Sequence, residues 1–211
     1  MDADLYDALR FPQILLKNKE FYIEPTSFRK EDKIKNQMSI LLRSLQMADL
    51  TDLVRYADNP KIAENLTDQF PHPYTKENGS FFIKMAREHQ PRRISAIEVD
   101  GAFAGCIGVH PAADIWHRNA ELGYWLAEPF WGKGIMTETI RQKLDYGFAT
   151  FGIDRIFARP FGSNVASQHV LEKNGFLLEA RLHHTILKNG RYEDELIYGF
   201  RTDPDKNLTN D

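Results

Sequence analysis

The stretch "YWLAEPFWGKGIMTETI", Tyr124–Ile140, decides the fold because three kinds of local structure follow one another within it. An apolar run, typical of a strand buried on both faces, leads into Pro129. Gly132 and Gly134 come next with a lysine between them, and a helical pattern follows. A strand that turns into a helix leaves the N–H groups of the first helical turn without partners, and the helix dipole adds partial positive charge. The stretch therefore predicts a site for a phosphate or pyrophosphate.

Glycine suits this turn because a side chain would hold the phosphate away and because a turn this tight is expected to need a positive φ. Lys133 adds a cation at the mouth of the site, and Thr137 adds a hydroxyl in the first helical turn. A tight turn that binds no ligand remains an alternative. Nucleotide loops fit poorly, because the glycine spacing of a P-loop and the third glycine of a dinucleotide fingerprint are both missing.

Short strands and amphipathic helices surround this stretch on both sides. Apolar residues recur every four positions after the glycines and predict one helix over about 135–150. Thr75 is expected to cap an earlier helix, and Ser163 or Asn164 a later one. Asn189-Gly190 is the strongest hairpin signal. This order predicts the α+β class: an α/β/α sandwich in which a mixed sheet has helices on both faces.

Composition and charge describe one globular domain of ordinary size. The net charge of −3 gives no basic field for nucleic acid, and no apolar run approaches the roughly 20 residues that span a bilayer. The single cysteine, Cys106, excludes an internal disulfide and fits a reducing compartment. The acidic amino terminus has no continuous apolar core and does not read as a secretory signal. We therefore expect a cytoplasmic protein that binds neither nucleic acid nor membranes.

Residues 1–37 differ from the rest of the chain, because short apolar clusters and prolines lead into a charged run. We expect an N-terminal extension there, with a short helix or two and a polar connector. Residues 38–203 form the predicted domain, and residues 204–211 form a C-terminal tail. Packing of the extension against the domain and docking to a partner both remain open.

The glycine turn resembles the acyl-CoA site of the GNAT N-acetyltransferase superfamily, written (Arg/Gln)-x-x-Gly-x-(Gly/Ala). Gly134 matches the first required glycine, whereas Trp131 and Met136 depart from the first and last positions. Both departures resemble the branch that contains the ribosomal-protein N-terminal acetyltransferases. The segments "AELGYWL", "SNVASQHVLEKNGF" and "NGRYEDELIYGF" are similar to that branch as well. The resemblance covers about Ser39 to Phe200.

The resemblance implies a GNAT-like, mostly antiparallel central sheet whose splayed strand pair holds acetyl-CoA, the acetyl donor. The pyrophosphate would bind backbone N–H groups at the start of the helix. The pantetheine arm would run beside Leu126, and the N–H of Leu126 or Ala127 would bind the thioester oxygen. No metal is expected. The residues expected to bind the cofactor are Leu126, Ala127, Trp131, Gly132, Lys133, Gly134, Ile135, Met136, Thr137, Asn164, Ser167 and Lys173.

Two residues are candidates for proton transfer. Glu121 lies on a strand that resembles, position for position, the strand with the catalytic glutamate of some GNAT histone acetyltransferases, so it is the candidate base. A structural role as an acceptor for loop backbone or for Arg118 is equally open. Many GNAT enzymes use a tyrosine as the acid, and Leu171 occupies that position here. Ser167 is the substitute acid, unless it only binds backbone or CoA, or the thiolate leaves unaided.

The acceptor site is the least specified part. Phe70, His72 and Tyr74 lie in a loop stiffened by two prolines, which borders the acceptor pocket in the family. Simple packing of this loop is as good an interpretation. Glu193, Asp194 and Glu195 could bind a cationic acceptor, although a solvated hairpin edge is the simpler reading. The adjacent His183 and His184 point to opposite faces of a strand and cannot form a metal pair.

The resemblance implies an N-acetyltransferase that moves acetyl from acetyl-CoA to a primary amine by direct attack on the thioester. The acceptor could be a protein N-terminus or a small amine, because related sequences serve both. A homodimer could form through the terminal strands. The alternative from another class is a CoA-binding regulatory or interaction module without turnover, which the missing tyrosine and the unexplained first 37 residues keep open.

Overall fold

The computed structural model describes residues 38–202, together with the backbone of two short strands, 15–17 and 20–22. The chain divides between Gln37 and Met38 into two compact units. In the first unit, β1 (Leu15–Lys17) and β2 (Glu20–Tyr22) pair as an antiparallel hairpin, where we had expected short helices. The rest of the predicted extension and the tail from residue 203 lie outside the described residues.

Residues 38–202 contain five α-helices, three single-turn 3-10 helices and seven further strands. The α-helices are α1 (Leu50–Ala57), α2 (Pro60–Ala63), α3 (Lys76–Glu88), α4 (Ile135–Phe151) and α5 (Val165–Lys173). The strands are β3 (Ile40–Arg43), β4 (Ile94–Val99), β5 (Ala102–Pro111), β6 (Asn119–Leu126), β7 (Arg155–Ala158), β8 (Leu177–Lys188) and β9 (Arg191–Arg201). Every element predicted between residues 38 and 202 is present, with ends that shift by a few residues.

The seven strands form one sheet in the order β3-β4-β5-β6-β7-β9-β8. All neighbours are antiparallel except β6 and β7, which run parallel. The predicted mixed, mostly antiparallel sheet is therefore confirmed. The parallel pair of β6 and β7 divides the sheet into two antiparallel halves. The glycine turn comes shortly after the end of β6 in the chain.

Helices cover both faces of the sheet, as predicted. On one face α1, α2 and α3 pack through Leu53, Ile62 and Ile83 against Trp125 and neighbouring strand residues. On the other face, α4 and α5 pack against alternate strand residues. Because side chains alternate along a strand, Trp125 of β6 faces the first three helices and its neighbours Tyr124 and Leu126 face α4 and α5.

Local capping explains where the helices begin. The Thr75 side chain accepts a hydrogen bond from the N–H of Asn78, and the Asn78 side chain accepts one from the N–H of Thr75, so α3 starts with a reciprocal capping box. At α5, Asn164 rather than Ser163 supplies the cap. Cys106 is buried among apolar side chains, in agreement with the structural thiol that its sequence surroundings predict.

A lysine lies inside the core of the α4 face. Lys143 is only 1% exposed, and its ammonium lies 3.2 Å from the hydroxyl of Ser95 and 4.7 Å from the ring of Tyr146. Burial, followed by the nearby charge of Arg92, lowers the pKa of Lys143 from its ordinary 10.5 to about 7. At acidic pH, the protein would therefore be more stable with an apolar side chain at position 143.

Candidate active site

The start of α4 has the geometry that the glycine pair predicts. Gly132 and Gly134 have φ values of 72° and 75°, in the left-handed region that residues with a Cβ avoid. A Cβ built on either glycine would meet nothing within 4 Å. The turn therefore requires glycine for its backbone conformation, and the space in front of it is open to a ligand.

Six consecutive N–H groups, from Gly132 to Thr137, have no hydrogen-bond acceptor among the described residues. The first helical bond runs from Glu138 N to Gly134 O, at 3.2 Å. Such a row of donors at the positive end of a helix dipole suits a phosphate group. The side chains of Ile135 and Met136 are buried in the core, so these two residues could contact a phosphate only through their backbone.

Lys133 and Thr137 complete the rim of this site. Lys133 is exposed, and its ammonium donates to the carbonyl of Pro129 at 2.8 Å and lies 5.9 Å from the ring of Phe130. Thr137 is half-buried in the first turn of α4. The Lys133 ammonium is therefore held at the Pro129 carbonyl, and its role as a cation at the mouth of the site stays a prediction.

Strands β6 and β7 diverge toward the end of β6 that leads into the glycine turn. They pair only where Asn119–Glu121 meets Arg155–Phe157, and β6 continues for five residues beyond that pairing. On its other side β6 pairs with β5 as far as Leu126. One edge of residues 122–126 therefore faces a gap rather than a strand, which matches the splayed pair expected for an extended ligand.

The hydrogen-bond alternation of β6 identifies which backbone groups face the gap. The N–H of Ala127 donates to Ala104 O at 2.8 Å, and at the other end Asn119 O accepts from Ala112 N at 2.9 Å. Odd-numbered residues of β6 thus bond to β5, and Tyr124 and Leu126 direct their backbone groups into the gap. This leaves Leu126, and not Ala127, as the candidate N–H donor to a thioester oxygen.

Trp131 caps the open end of the gap. Its indole N–H donates to Leu126 O at 2.7 Å. This contact explains in physical terms why tryptophan can stand where the resemblance called for Arg or Gln: it fixes the last carbonyl of β6 relative to the glycine turn. The same contact occupies a carbonyl that we had expected to pair with the pantetheine arm.

Glu121 and Ser167 lie on opposite faces of the sheet. Glu121 is half-buried on the α1–α3 face, beside His110 on β5 and Phe157 on β7. Arg118, the alternative structural partner of Glu121, instead bonds to Asp154 at 2.9 Å. A base on one face and an acid on the other would flank the gap between the strands.

Ser167 lies in the first turn of α5, on the opposite face from Glu121. Its N–H donates to the side chain of Asn164 at 3.1 Å, and its hydroxyl lies 2.7 Å from the hydroxyl of Tyr124. Leu171, at the position of the family's acid, is fully buried. Lys173 ends α5 and is exposed.

The predicted acceptor residues divide into packed and accessible ones. Tyr74 is 5% exposed, and burial raises the pKa of its phenol to about 12. Phe70 lies between the rings of Tyr74 and Trp125, at 5.1 and 6.0 Å between centroids, which supports a packing role for both loop aromatics. His72 is partly exposed with its ring 3.3 Å from the carboxylate of Asp58. Glu193 is half-buried on β9.

Two acids next to Glu193 are not solvated, contrary to the simpler reading of that hairpin. Asp194 bonds to Arg181 at 2.7 Å and to the N–H of His184, and these contacts lower the pKa of its carboxyl to about 2. Glu195 is 7% exposed and bonds to Arg159, whose pKa is raised by Glu195 and to a smaller extent by Glu121. The ion pair of Arg159 and Glu195 therefore lies near Glu121, the candidate base.

Tyr124 and Arg159 are the two site residues that sequence reasoning missed. The "GYW" of β6 drew attention only for its apolar character. Strand alternation alone would have placed Tyr124 opposite Trp125, facing the helix that carries Ser167, but the contact itself depends on how α5 packs. Between residues 38 and 202, no group of three or more His, Cys, Asp or Glu side chains could hold a metal ion, and no helix is long and apolar enough to cross a bilayer.

A family match accounts for most of the described chain. The sequence profile of the acetyltransferase (GNAT) domain matches residues 39–177. The Bacillus subtilis (strain 168) protein YdaF, named as a ribosomal N-acetyltransferase, is 34% identical over 99 residues. That match covers 47% of this chain and 54% of YdaF, so the chain spans about half the length of this curated relative.

Two further similarities extend over more of the chain. Spermidine N(1)-acetyltransferase of Escherichia coli (strain K12) is 25% identical over 158 residues, covering 75% of this chain and 83% of that protein. The crystal structure of spermidine N-acetyltransferase from Vibrio cholerae in complex with CoA and spermine superposes with a TM-score of 0.64. It covers 77% of this chain and 95% of its own at 24% identity, and so bears on the fold alone.

Proposed function

Because this chain belongs to the GNAT acetyltransferase family, we propose that it transfers the acetyl group of acetyl-CoA to a primary amine, either a protein N-terminus or a small amine. The observation that carries the proposal is the row of six free N–H groups at the start of α4, next to the gap between β6 and β7. Acetyl-CoA supplies an activated acetyl group when bound.

The chain's own residues would bind the donor in two places. The N–H groups of residues 132–137 would hold the pyrophosphate, with Lys133 adding charge at the rim. The backbone of Tyr124 and Leu126 would border the pantetheine arm in the gap. The N–H of Leu126 would donate to the thioester oxygen, more strongly as negative charge develops on it.

Proton transfer would then proceed on both faces of the sheet. A protonated amine must lose a proton before it attacks, since an α-amine has a pKa near 8 and a lysine near 10.4. On the α1–α3 face, the Glu121 carboxylate would accept that proton and pass it to solvent, and it would then accept the second proton that the attached nitrogen loses as the amide forms. On the α5 face, the Ser167 hydroxyl would donate a proton to the departing thiolate and recover one from solvent. Attack and departure on opposite faces match an extended donor that passes between the strands.

The similar proteins suggest the first acceptors to examine. Relatives are named for ribosomal and for spermidine acetylation, so peptides with ribosomal-protein N-termini and polyamines are the two classes of choice. We place the reaction in the cytoplasm. A homodimer through the terminal strands would be compatible with it.

Thermal unfolding with acetyl-CoA, CoA, ATP or no ligand tests the donor first. A ligand at a hundred times its Kd should raise Tm by roughly 5–10 °C. A rise with acetyl-CoA and CoA but not with ATP supports the proposal, and release of CoA is then screened across both acceptor classes. Glu121→Gln should abolish turnover and leave the Tm rise intact. No rise with millimolar acetyl-CoA would contradict the proposed function.

A further inference from the structure

A tyrosine and a serine meet beside the gap between β6 and β7. The hydroxyl of Tyr124 lies 2.7 Å from Oγ of Ser167. Tyr124 is one of the β6 residues whose backbone faces the gap, and Ser167 is in the first turn of α5. The hydrogen bond therefore joins the wall of the gap to the helix that approaches it on the α4–α5 face.

The chemistry of the two hydroxyls sets the direction of this bond. A phenol is far more acidic than an alcohol, so it is the better donor and the poorer acceptor. Burial raises the pKa of Tyr124 to about 12, so its proton stays in place across the physiological range. Either hydroxyl could donate on geometry alone, and on this chemical ground we assign Tyr124 as the donor and Ser167 as the acceptor. The proton of Ser167 is then left to bond with another group.

We propose that Tyr124 is a positioning residue: its hydrogen bond directs the Ser167 O–H into the gap, toward the sulfur of CoA. The hydrogen bond to sulfur would stabilise negative charge as the thioester breaks. This inference rests on the proposed function. It also explains how the chain manages with Leu171 where the family has a tyrosine, because a phenol reaches the same helix from β6 instead.

A purely structural role is the competing explanation, and the molecule contains a matched control for it. The hydroxyl of Tyr198 on β9 donates to the carboxylate of Glu172 at 3.0 Å. It therefore also joins a strand to α5, but at the last turn of the helix. Tyr198→Phe removes a tyrosine-to-α5 hydrogen bond of the same kind without touching Ser167.

The first measurement does not require turnover. The pKa of the CoA thiol bound to the protein is followed by thiolate absorbance, with CoA lacking its sulfur as the blank. A donor aimed at sulfur favours the thiolate, so in the native protein the bound thiol should titrate about one pH unit below free CoA. Tyr124→Phe and Ser167→Ala should both return the pKa to that of free CoA, whereas Tyr198→Phe should keep it low.

The second measurement is kinetic. Tyr124→Phe should lower kcat on the order of tenfold, less than the roughly 10²–10⁴-fold that a proton-transfer group contributes because Ser167 itself remains, with little change in KM for acetyl-CoA. The double variant with Ser167→Ala should be no slower than Ser167→Ala alone, because the two hydroxyls act as a unit. Tyr198→Phe should keep the native kcat.

Each result separates this inference from the proposed function. If native protein and Tyr124→Phe share one thiol pKa, or one kcat, the inference is wrong even though the enzyme works. If the thiol pKa behaves as expected but no amine is acetylated, the proposed reaction is wrong and the positioning of Ser167 stands. Failure to bind CoA at all would overturn both.

Discussion

Helices α4 and α5 begin beside the same gap, yet their first turns are built in opposite ways. At α5, Asn164 accepts the N–H of Ser167, and Tyr124 bonds to the Ser167 hydroxyl, so the turn is closed by the protein's own side chains. At α4, Gly134 stands at the cap position with no side chain, and the N–H groups of residues 132–137 find no acceptor among the described residues. The first turn of α5 is capped by the protein's own side chains, whereas the N–H groups at the start of α4 stay available to a ligand.

This difference shows what makes a helix start a binding site. Any helix exposes about four N–H groups at its beginning, and most proteins satisfy them with a capping side chain. A site arises where the cap is withheld and the backbone bends through the left-handed region, so that nothing protrudes in front of the donors. The open turn of α4 and the closed turn of α5 can be tested against each other.

The largest effect is expected from Gly134→Ala. The new Cβ should strain a residue at φ 75° by about 1–2 kcal/mol and project toward the space that a phosphate would occupy. We expect acetyl-CoA affinity to fall at least about tenfold, roughly 1.4 kcal/mol. Isothermal titration with acetyl-CoA and thermal unfolding without it measure the two effects separately.

Gly190→Ala is the control for this variant. Gly190 has the same φ of 75° and the same open surroundings, but it lies in the β8–β9 turn. It should cost similar stability and leave acetyl-CoA affinity unchanged. Equal affinities for the two variants would mean that the α4 turn does not contact the donor.

Sequence reasoning found the open turn because its signals are local. Two glycines between an apolar strand and an amphipathic helix determine backbone conformation over a few residues, and the resemblance covers the same residues. The α5 cap was found for the same reason, although the choice between Ser163 and Asn164 required the backbone geometry. Local propensity and periodicity were enough for the order of the strands and longer helices from β3 to β9, but they did not predict the one-turn helix α2.

The contacts that the sequence did not predict depend on packing between elements that are far apart in the chain. Tyr124 and Ser167 are 43 positions apart, and Arg159 and Glu195 are 36 apart. Neither pair follows a spacing rule, because their contacts depend on how α5 packs against the sheet and on which strand β9 pairs with inside it. Asp194 and Glu195 looked solvated for the same reason: a charged run on a hairpin does not reveal that Arg181 of β8 and Arg159, just after β7, bond to it.

Lys143→Met should give the next largest effect. It tests a second property of α4, the cost of burying a charged side chain in the core. Below about pH 7 the amine is protonated in both states, so the cost of burying the charge is fully present. As pH rises from 7 toward 10.5, the unfolded chain holds more protons than the folded one, and stability rises by up to about 1.4 kcal/mol per pH unit. Lys143→Met should therefore stabilise the protein most at pH 6.

Urea unfolding at several pH values from 6 to 10 measures this gain, which should shrink steadily with rising pH. Lys84→Met on the exposed face of α3 is the control and should show no such trend. A gain from Lys143→Met of the same size at pH 6 and pH 9 would contradict the lowered pKa. Acetyl-CoA affinity should not change, because the buried amine and the open turn are separate features of one helix.

Asn164→Ala tests the closed turn directly. Removing the cap should cost about 1 kcal/mol of stability. It should also lower kcat, because the Ser167 N–H loses the acceptor that fixes the serine beside Tyr124. Urea unfolding and steady-state kinetics measure the two effects. Thr75→Ala removes the cap of α3 at a similar cost in stability and should leave kcat unchanged.

Trp131→Phe should have the smallest effect. It tests whether the side chain before the glycine turn contributes to donor binding. Losing the indole bond to Leu126 O should cost about 0.5–1.5 kcal/mol of unfolding free energy, the net worth of one hydrogen bond. Acetyl-CoA affinity should change less than about threefold (roughly 0.65 kcal/mol), because backbone N–H groups rather than the indole would hold the pyrophosphate. A larger loss of affinity would mean that Trp131 holds the donor directly, and the turn would then depend on a side chain as α5 does.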